Sequence, residues 1–275
     1  MISDKTWILG PCSLENHDLF FSVMDRVYGI MDPSDSWIMK ASFDKANRTS
    51  LHGGRGPGLE YAKEVWSEAK ERYPNISLTT DIHECWQAQE LSGLIDVVQI
   101  PAFLSRQTDL IVESARHFPV VNIKKGQWLG PNNLISSVDK IRETNPDCEA
   151  WVTDRGSNFG YHDLFVNFGI VDELKTHYDK VILDCTHSTQ RSRSVYGVQG
   201  DPILAERYFV ACDLFNYDGV FAEVHPNPSE SVSDAECAIH LDHLEGLVKQ
   251  AKNVGSTIEE RDDTLYYLPG DGAIE

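Results

Sequence analysis

Short apolar runs rich in β-branched residues recur along the chain, and longer polar stretches with helical spacing separate them. The runs are Trp7–Gly10, Trp37–Lys40, Ile76–Ile82, Val97–Ile100, Val120–Ile123, Trp151–Thr153, Val181–Asp184 and Val220–Glu223. Helical spacing is found over Leu59–Tyr73, Asn133–Thr144, Asp163–His177, Ile203–Phe215 and Leu241–Asn253, among others. Alternating strands and helices predict right-handed parallel βαβ units, and eight of them in ~250 residues fit a closed (β/α)8 TIM barrel of the α/β class. An open doubly wound sheet is the alternative. No glycine-rich phosphate-binding turn follows a strand, which weakens a dinucleotide-binding form of that alternative. The chain therefore reads as one barrel domain over residues 1–275, decorated by a short acidic tail from Glu259 to Glu275.

Barrel strands are covered on both faces, so polar residues inside them need a reason. Here they close the strands: Lys40 with Ser42, Asp81 with His83, Gln99, Asn122 with Lys124, Thr153 with Arg155, Asp184, and Glu223 with His225. Members of each pair are two apart and share a face. The C-terminal ends of the strands carry the active site in this fold, so these residues form the candidate site.

Charge sharpens that reading. Asp and Glu outnumber Lys and Arg by 43 to 24, a net charge of -19, which repels a polyanion and argues against nucleic acid as a partner. Yet Lys40, Lys45, Arg48, Arg106, Lys124 and Arg155 lie at or just beyond strand ends. This local reversal predicts a small substrate bearing several negative charges, such as phosphate and carboxylate groups. Lys124 ends an apolar run, where an ammonium needs an anionic partner, and the sequence reading gives that role to the substrate. No run reaches the ~18–20 apolar residues of a membrane span, and Met1–Lys5 lacks the basic and apolar regions of a signal peptide. A soluble cytoplasmic protein is expected. The six Cys residues form no CxxC pair, so disulfides are not expected.

Four potential metal ligands follow separate strands: Cys12, His187, Glu223 and Asp234. A thiolate, an imidazole and two carboxylates suit Zn, Fe, Mn or Co. Spacing alone does not separate this set from a core cysteine and a packed histidine.

The segment Lys40-Ala-Ser-Phe-Asp-Lys45-Ala-Asn-Arg48-Thr49-Ser50, followed by Arg55-Gly-Pro-Gly-Leu-Glu60, resembles the signature of the 3-deoxy-D-manno-octulosonate 8-phosphate synthase family. So do Gly10-Pro-Cys12, Thr80-Asp-Ile-His-Glu84, Gln99-Ile-Pro-Ala-Phe-Leu104, Arg106-Gln-Thr-Asp-Leu110, Val121-Asn-Ile-Lys-Lys-Gly-Gln127, Asp184-Cys-Thr-His-Ser188 and Glu223-Val-His-Pro226, in family order over most of the chain. The resemblance implies a barrel enzyme, commonly tetrameric, that condenses phosphoenolpyruvate with arabinose 5-phosphate. By that likeness Lys40, Lys45, Lys124 and Arg155 meet phosphoenolpyruvate, with Ser42, Gln99, Gln127 and Arg106 nearby. Asn47, Arg48 and Thr49 match the arabinose 5-phosphate segment, and Asp81, His83 or Glu223 can relay a proton. Cys12, His187, Glu223 and Asp234 match the divalent-metal ligands of the metal-dependent branch, whose metal-free counterpart has Asn at the Cys12 position.

The chain departs from the family after the seventh strand, where Gln190 to Asp201 replaces a Gly-Gly-x-Arg loop that closes over the substrates. Arg191 and Arg193 are the candidate substitutes for its arginine. The sister synthase, which uses erythrose 4-phosphate, has Lys-Pro-Arg where this chain reads Lys45-Ala-Asn-Arg48, which favours the five-carbon sugar. A non-catalytic binding homologue is the alternative of a different class, disfavoured by the complete set of cations and ligands. Whether the product feeds lipopolysaccharide or another sugar pathway is left open by the sequence.

Overall fold

The structure is a computed structural model that describes residues 5–48, 51–130, 133–158, 163–194 and 197–255. The acidic tail and Thr49 therefore lie outside the described residues. Strands β1 (Thr6–Gly10), β2 (Ser36–Lys40), β3 (Ser77–Asp81), β4 (Val97–Ile100), β5 (Val120–Lys124), β6 (Glu149–Asp154) and β7 (Lys180–Asp184) pair in parallel in chain order. The two-stranded ribbon β8 (Arg191–Ser194) and β9 (Gly197–Gln199) then interrupts the sequence before β10 (Gly219–His225). β10 pairs with β7 on one side and with β1 on the other, in a register running from Thr6 opposite Gly219 to Gly10 opposite Glu223. This last pairing closes the barrel and excludes the open sheet. A short strand β11 (Ile239–His240) extends the edge of β10.

The outer layer is built by α1 (His17–Ile30), α2 (Leu59–Arg72), α3 (Cys85–Leu91), α4 (Thr108–His117), α5 (Ile135–Thr144), α6 (Val171–Lys175), α7 (Pro202–Ala211) and α8 (Leu244–Gly255). In α1 the Asn16 side chain caps the Leu19 N–H and a stripe of Phe20, Val23, Met24 and Val27 is buried against the strands. The helix expected over Asp163–His177 shrinks to the five residues of α6. Its first half is held otherwise: Ser157 and Phe165 form a β-bridge, and the Asn167 side chain accepts from Gly169 N–H to start a 3-10 turn. A glycine and an Asn that bonds its own neighbourhood both compete with helix. Among the described residues, no helix is long and apolar enough to cross a membrane.

Among the described residues, two apolar clusters divide the interior. The larger fills the space between barrel and helices. The smaller, Ile8, Ile38, Val97, Trp151, Ile182 and Phe221, is distinct from it and comes from strand positions that point into the barrel. Closure requires close strand contact at two glycines. A Cβ on Gly10 would lie 2.0 Å from the Lys40 carbonyl oxygen, and one on Gly219 would lie 2.3 Å from that of Thr6.

Candidate active site

Each inward face changes character toward the C-terminal end of its strand. Ile38 is followed two residues on by Lys40, Val97 by Gln99, Val120 by Asn122 and Lys124, Trp151 by Thr153 and Arg155, Ile182 by Asp184 and Phe221 by Glu223. The apolar cluster is the floor, and the buried polar residues above it face a cleft of about 420 Å³. Lys40, Lys45, Lys124 and Arg155 line this cleft together with Asp81, Gln99, Gln127, Asn47, Arg48, His187, Glu223 and Asp234. Ser42 and His83 stand one layer behind it, and Arg106 is exposed outside it, its carbonyl accepting from Lys140 at 3.4 Å.

Ser42 organises the cationic side. Its hydroxyl oxygen accepts from Lys40 Nζ at 2.7 Å and from Lys45 Nζ at 3.0 Å, and its proton goes to Asp81. Asp81 also lies 3.2 Å from His83 Nε2. Burial alone would raise the Asp81 carboxyl, yet His83, Lys40 and Lys45 hold it well below the usual carboxylate range. Burial would likewise discharge Lys45, but the surrounding Cys12, Asp81, Glu223 and Asp234 raise its affinity for the proton. The Arg48 guanidinium donates to the carbonyls of Gly54 (2.9 Å) and Val232 (3.1 Å), so it joins the loop after β2 to the loop after β10.

Lys124 does not wait for a ligand, as the sequence reading supposed. Its ammonium is paired with Asp184 and lies 3.4 Å from the centroid of the Phe221 ring. The partner is on β7, separated from β5 by β6 in the sheet, and the two side chains meet on the inward face. Burial lowers the proton affinity of both Lys124 and Arg155, with Asp184 opposing the effect in each case.

Beside these cations, ligand atoms of Cys12, His187, Glu223 and Asp234 all lie within 4.8 Å of one another, and Glu223 Oε1 is 3.6 Å from Lys40 Nζ. Cys12 Sγ is 3.0 Å from Asp234 Oδ2, and His187 Nε2 is 3.4 Å from Glu223 Oε1 and 3.8 Å from Asp234 Oδ2. The other ring nitrogen, His187 Nδ1, is 2.8 Å from Asp184 Oδ2, which fixes the ring with Nε2 inward. Asp234 adopts left-handed backbone (φ 55°), held by N–H groups of Cys237 and Ala238 that donate to its carbonyl at 3.1 Å.

The donor set fits a divalent cation. Glu223 is 1% exposed, neither of its carboxylate oxygens has a hydrogen-bond partner among the described residues, and Lys40 Nζ stands 3.6 Å from Oε1. One ammonium shared with Asp81 leaves this buried carboxylate under-compensated, and a second cation would answer it. Burial, then Asp234 and Glu223, push the Cys12 thiol well above its ordinary value, against the opposing pull of Lys45 and Lys40. A thiolate beside two carboxylates calls for the same compensation.

Sequence reasoning missed several residues at the cleft: Phe103, Asn158, Leu164, Gln190 and Ser233. Gln190 was passed over because it begins the segment that departs from the family. That segment is the β8–β9 ribbon, anchored to residues 163–165 by a bridge between Asp163 and Arg191. Arg191 pairs with Asp201 at 3.5 Å, while the Arg193 side chain lies outside the described residues.

The profile of the DAHP synthetase I family matches residues 3–260. A protein of Fusobacterium nucleatum named 2-dehydro-3-deoxyphosphooctonate aldolase is 38% identical over 258 residues, 92% of this chain and 91% of its own. Proteins of the same name from Helicobacter hepaticus and Shewanella sp. (strain W3-18-1) are 37% and 36% identical, covering 92% and 94% of this chain and 97% and 92% of theirs.

Proposed function

The chain belongs to the DAHP synthetase I family, and we propose that it condenses phosphoenolpyruvate with arabinose 5-phosphate and water, giving 3-deoxy-D-manno-octulosonate 8-phosphate and phosphate. The observation that carries this reading is one cleft lined by Lys40, Lys45, Lys124 and Arg155 and by His187, Glu223 and Asp234, with Cys12 within ligand reach of the last three. Such a cleft suits a substrate with a phosphate and a carboxylate set against an electrophile.

In the reaction C3 of phosphoenolpyruvate forms a bond to the aldehyde carbon of the sugar phosphate. Water adds to C2; one of its protons ends on the former aldehyde oxygen, now a hydroxyl, and the other leaves with inorganic phosphate as the C2 adduct collapses to the keto acid. Lys40, Lys45, Lys124 and Arg155 neutralise the phosphate and carboxylate and stabilise the charge that develops as C3 attacks. The lysine ammonium groups are already fixed by Ser42 and Asp184, so little reorganisation of them accompanies the step. Asp81, held ionised and facing the cleft, takes the proton released by water, with His83 behind it. Cys12, His187, Glu223 and Asp234 would hold a divalent ion such as Mn, Fe, Co or Zn, which supplies Lewis acidity toward the aldehyde oxygen or the water when bound. Asn47 and Arg48, at the cleft edge, meet the sugar phosphate.

The test is phosphate release from phosphoenolpyruvate with a panel of aldose phosphates. Arabinose 5-phosphate is expected to be used at least ~10-fold more efficiently than erythrose 4-phosphate, about 1.4 kcal/mol in transition-state binding. Equal or reversed efficiencies would overturn the choice of sugar.

A further inference from the structure

Gln190 joins the two halves of the cleft. Its Oε1 accepts from Arg155 Nη2 at 2.6 Å, and its Nε2 donates to Asp234 Oδ1 at 2.7 Å. A guanidinium only donates and a carboxylate only accepts, so these two partners fix which end of the amide faces which. Its backbone N–H donates to the His187 carbonyl at 3.2 Å, which ties the same residue to a second member of the ligand set. The two oxygens of Asp234 are thereby given separate tasks. Oδ1 is held by Gln190, while Oδ2 takes the Ser233 hydroxyl at 2.5 Å and faces Cys12 Sγ and His187 Nε2.

We propose that Gln190 is a positioning residue that couples occupancy of the anion site at Arg155 to occupancy of the cation site at Asp234. The inference rests on the reading of the cleft as a phosphoenolpyruvate and divalent-metal site. Arg155 is 7% exposed, so an anion that binds it also settles the orientation of the Gln190 amide behind it. A cation held by Asp234 Oδ2 settles the same amide from the other end. Each ligand orders the three-residue chain Arg155, Gln190, Asp234, and the second to arrive finds it already ordered. The coupling must be equal in both directions. Direct attraction between anion and cation adds to it and does not pass through Gln190.

The experiment titrates Mn²⁺ into metal-stripped protein by calorimetry, with and without saturating phosphoenolpyruvate, and then the reverse. The wild-type chain is expected to bind Mn²⁺ at least ~5-fold more tightly when phosphoenolpyruvate is present, a coupling of ordinary size for two linked sites. Gln190→Met, which keeps the length and removes both hydrogen bonds, should bind each ligand alone and reduce the coupling factor at least ~3-fold. Gln190→Asn keeps an amide but is one carbon too short to span both partners, and should lose the coupling to the same degree. It also serves if the Met variant does not fold. Wild-type coupling retained in either folded variant, or no coupling in the wild type, overturns the inference alone. A wild-type chain that binds neither Mn²⁺ nor phosphoenolpyruvate overturns the reading of the cleft and the inference together.

Discussion

The Asp184 carboxylate, fully buried at the end of β7, pairs with the Lys124 ammonium and at 2.8 Å also meets His187 Nδ1. One carboxylate thus supports a cleft-lining cation and a candidate metal ligand. Burial alone would raise its carboxyl, but His187 and Lys124 hold it far below the usual range. Asp184→Asn should weaken divalent-metal binding about 10- to 100-fold, the usual cost of losing the group that orients a ligating histidine. Calorimetry of metal binding checks this, and unchanged affinity would contradict it.

Lys124→Met removes the other member of the pair and leaves the buried Asp184 with only His187 and the Thr186 hydroxyl. Breaking a buried pair in this way costs about 3–5 kcal/mol, so the variant should be less stable in urea as well as losing phosphoenolpyruvate turnover. Wild-type stability would show that the ammonium is there only for the ligand.

Gly10→Ala places a methyl group against the backbone of β2, where the Lys40 carbonyl is fixed by strand pairing. The collision should cost about 4 kcal/mol or more, in the exceptional range for one substitution. Thermal unfolding measures it, and a shift within a degree or two of wild type would contradict the close approach of β1 and β2.

Buried thiols set an alkaline limit on stability. Burial, first among the causes, pushes Cys148 and Cys212 up to about 11, against about 8.5 for an unfolded thiol. The folded values are raised, so this stability is fully present below the unfolded value and is lost as pH rises through the folded one. Urea unfolding under reducing conditions should lose up to about 1.4 kcal/mol per thiol for each pH unit within that window. Cys212→Ala should make the decline shallower, and an equal slope would sink the assignment to this thiol.

The barrel and most of the cleft were legible because strand residues two apart share a face. Lys40, Gln99, Lys124, Arg155 and Glu223 could be placed at one end of the barrel from that spacing alone. Pairings between distant strands were not legible. Nothing in the sequence near Lys124 points to Asp184 as its partner, and the substrate was assigned that part. Gln190 was hidden in the segment that departs from the family, where its two hydrogen bonds depend on loops after β6 and β10. Arg106 was placed by its position just beyond a strand end as well as by resemblance, and in this single chain it is exposed and does not line the cleft. The helix over Asp163–His177 was misread because residue spacing does not register a bridge between Ser157 and Phe165.

Cys12 separates the two branches of chemistry that the site could follow. Cys12→Ala should fold, with less than about 2 kcal/mol of stability lost since only a thiol is removed, and should bind no stoichiometric divalent ion. Cys12→Asn is expected to keep a fraction of the turnover, insensitive to chelator. Elemental analysis and phosphate release of the two variants decide the matter, and metal content equal to wild type in Cys12→Ala would contradict Cys12 as a ligand.

The most direct test of the account is phosphate release from phosphoenolpyruvate and arabinose 5-phosphate by the metal-stripped wild-type protein as Mn²⁺ is added back. The predicted result is no turnover without metal, restoration that saturates near one ion per chain, and one eight-carbon keto sugar acid formed per phosphate released. Full turnover after exhaustive chelation with no metal found, or no turnover at any Mn²⁺ concentration, would contradict it.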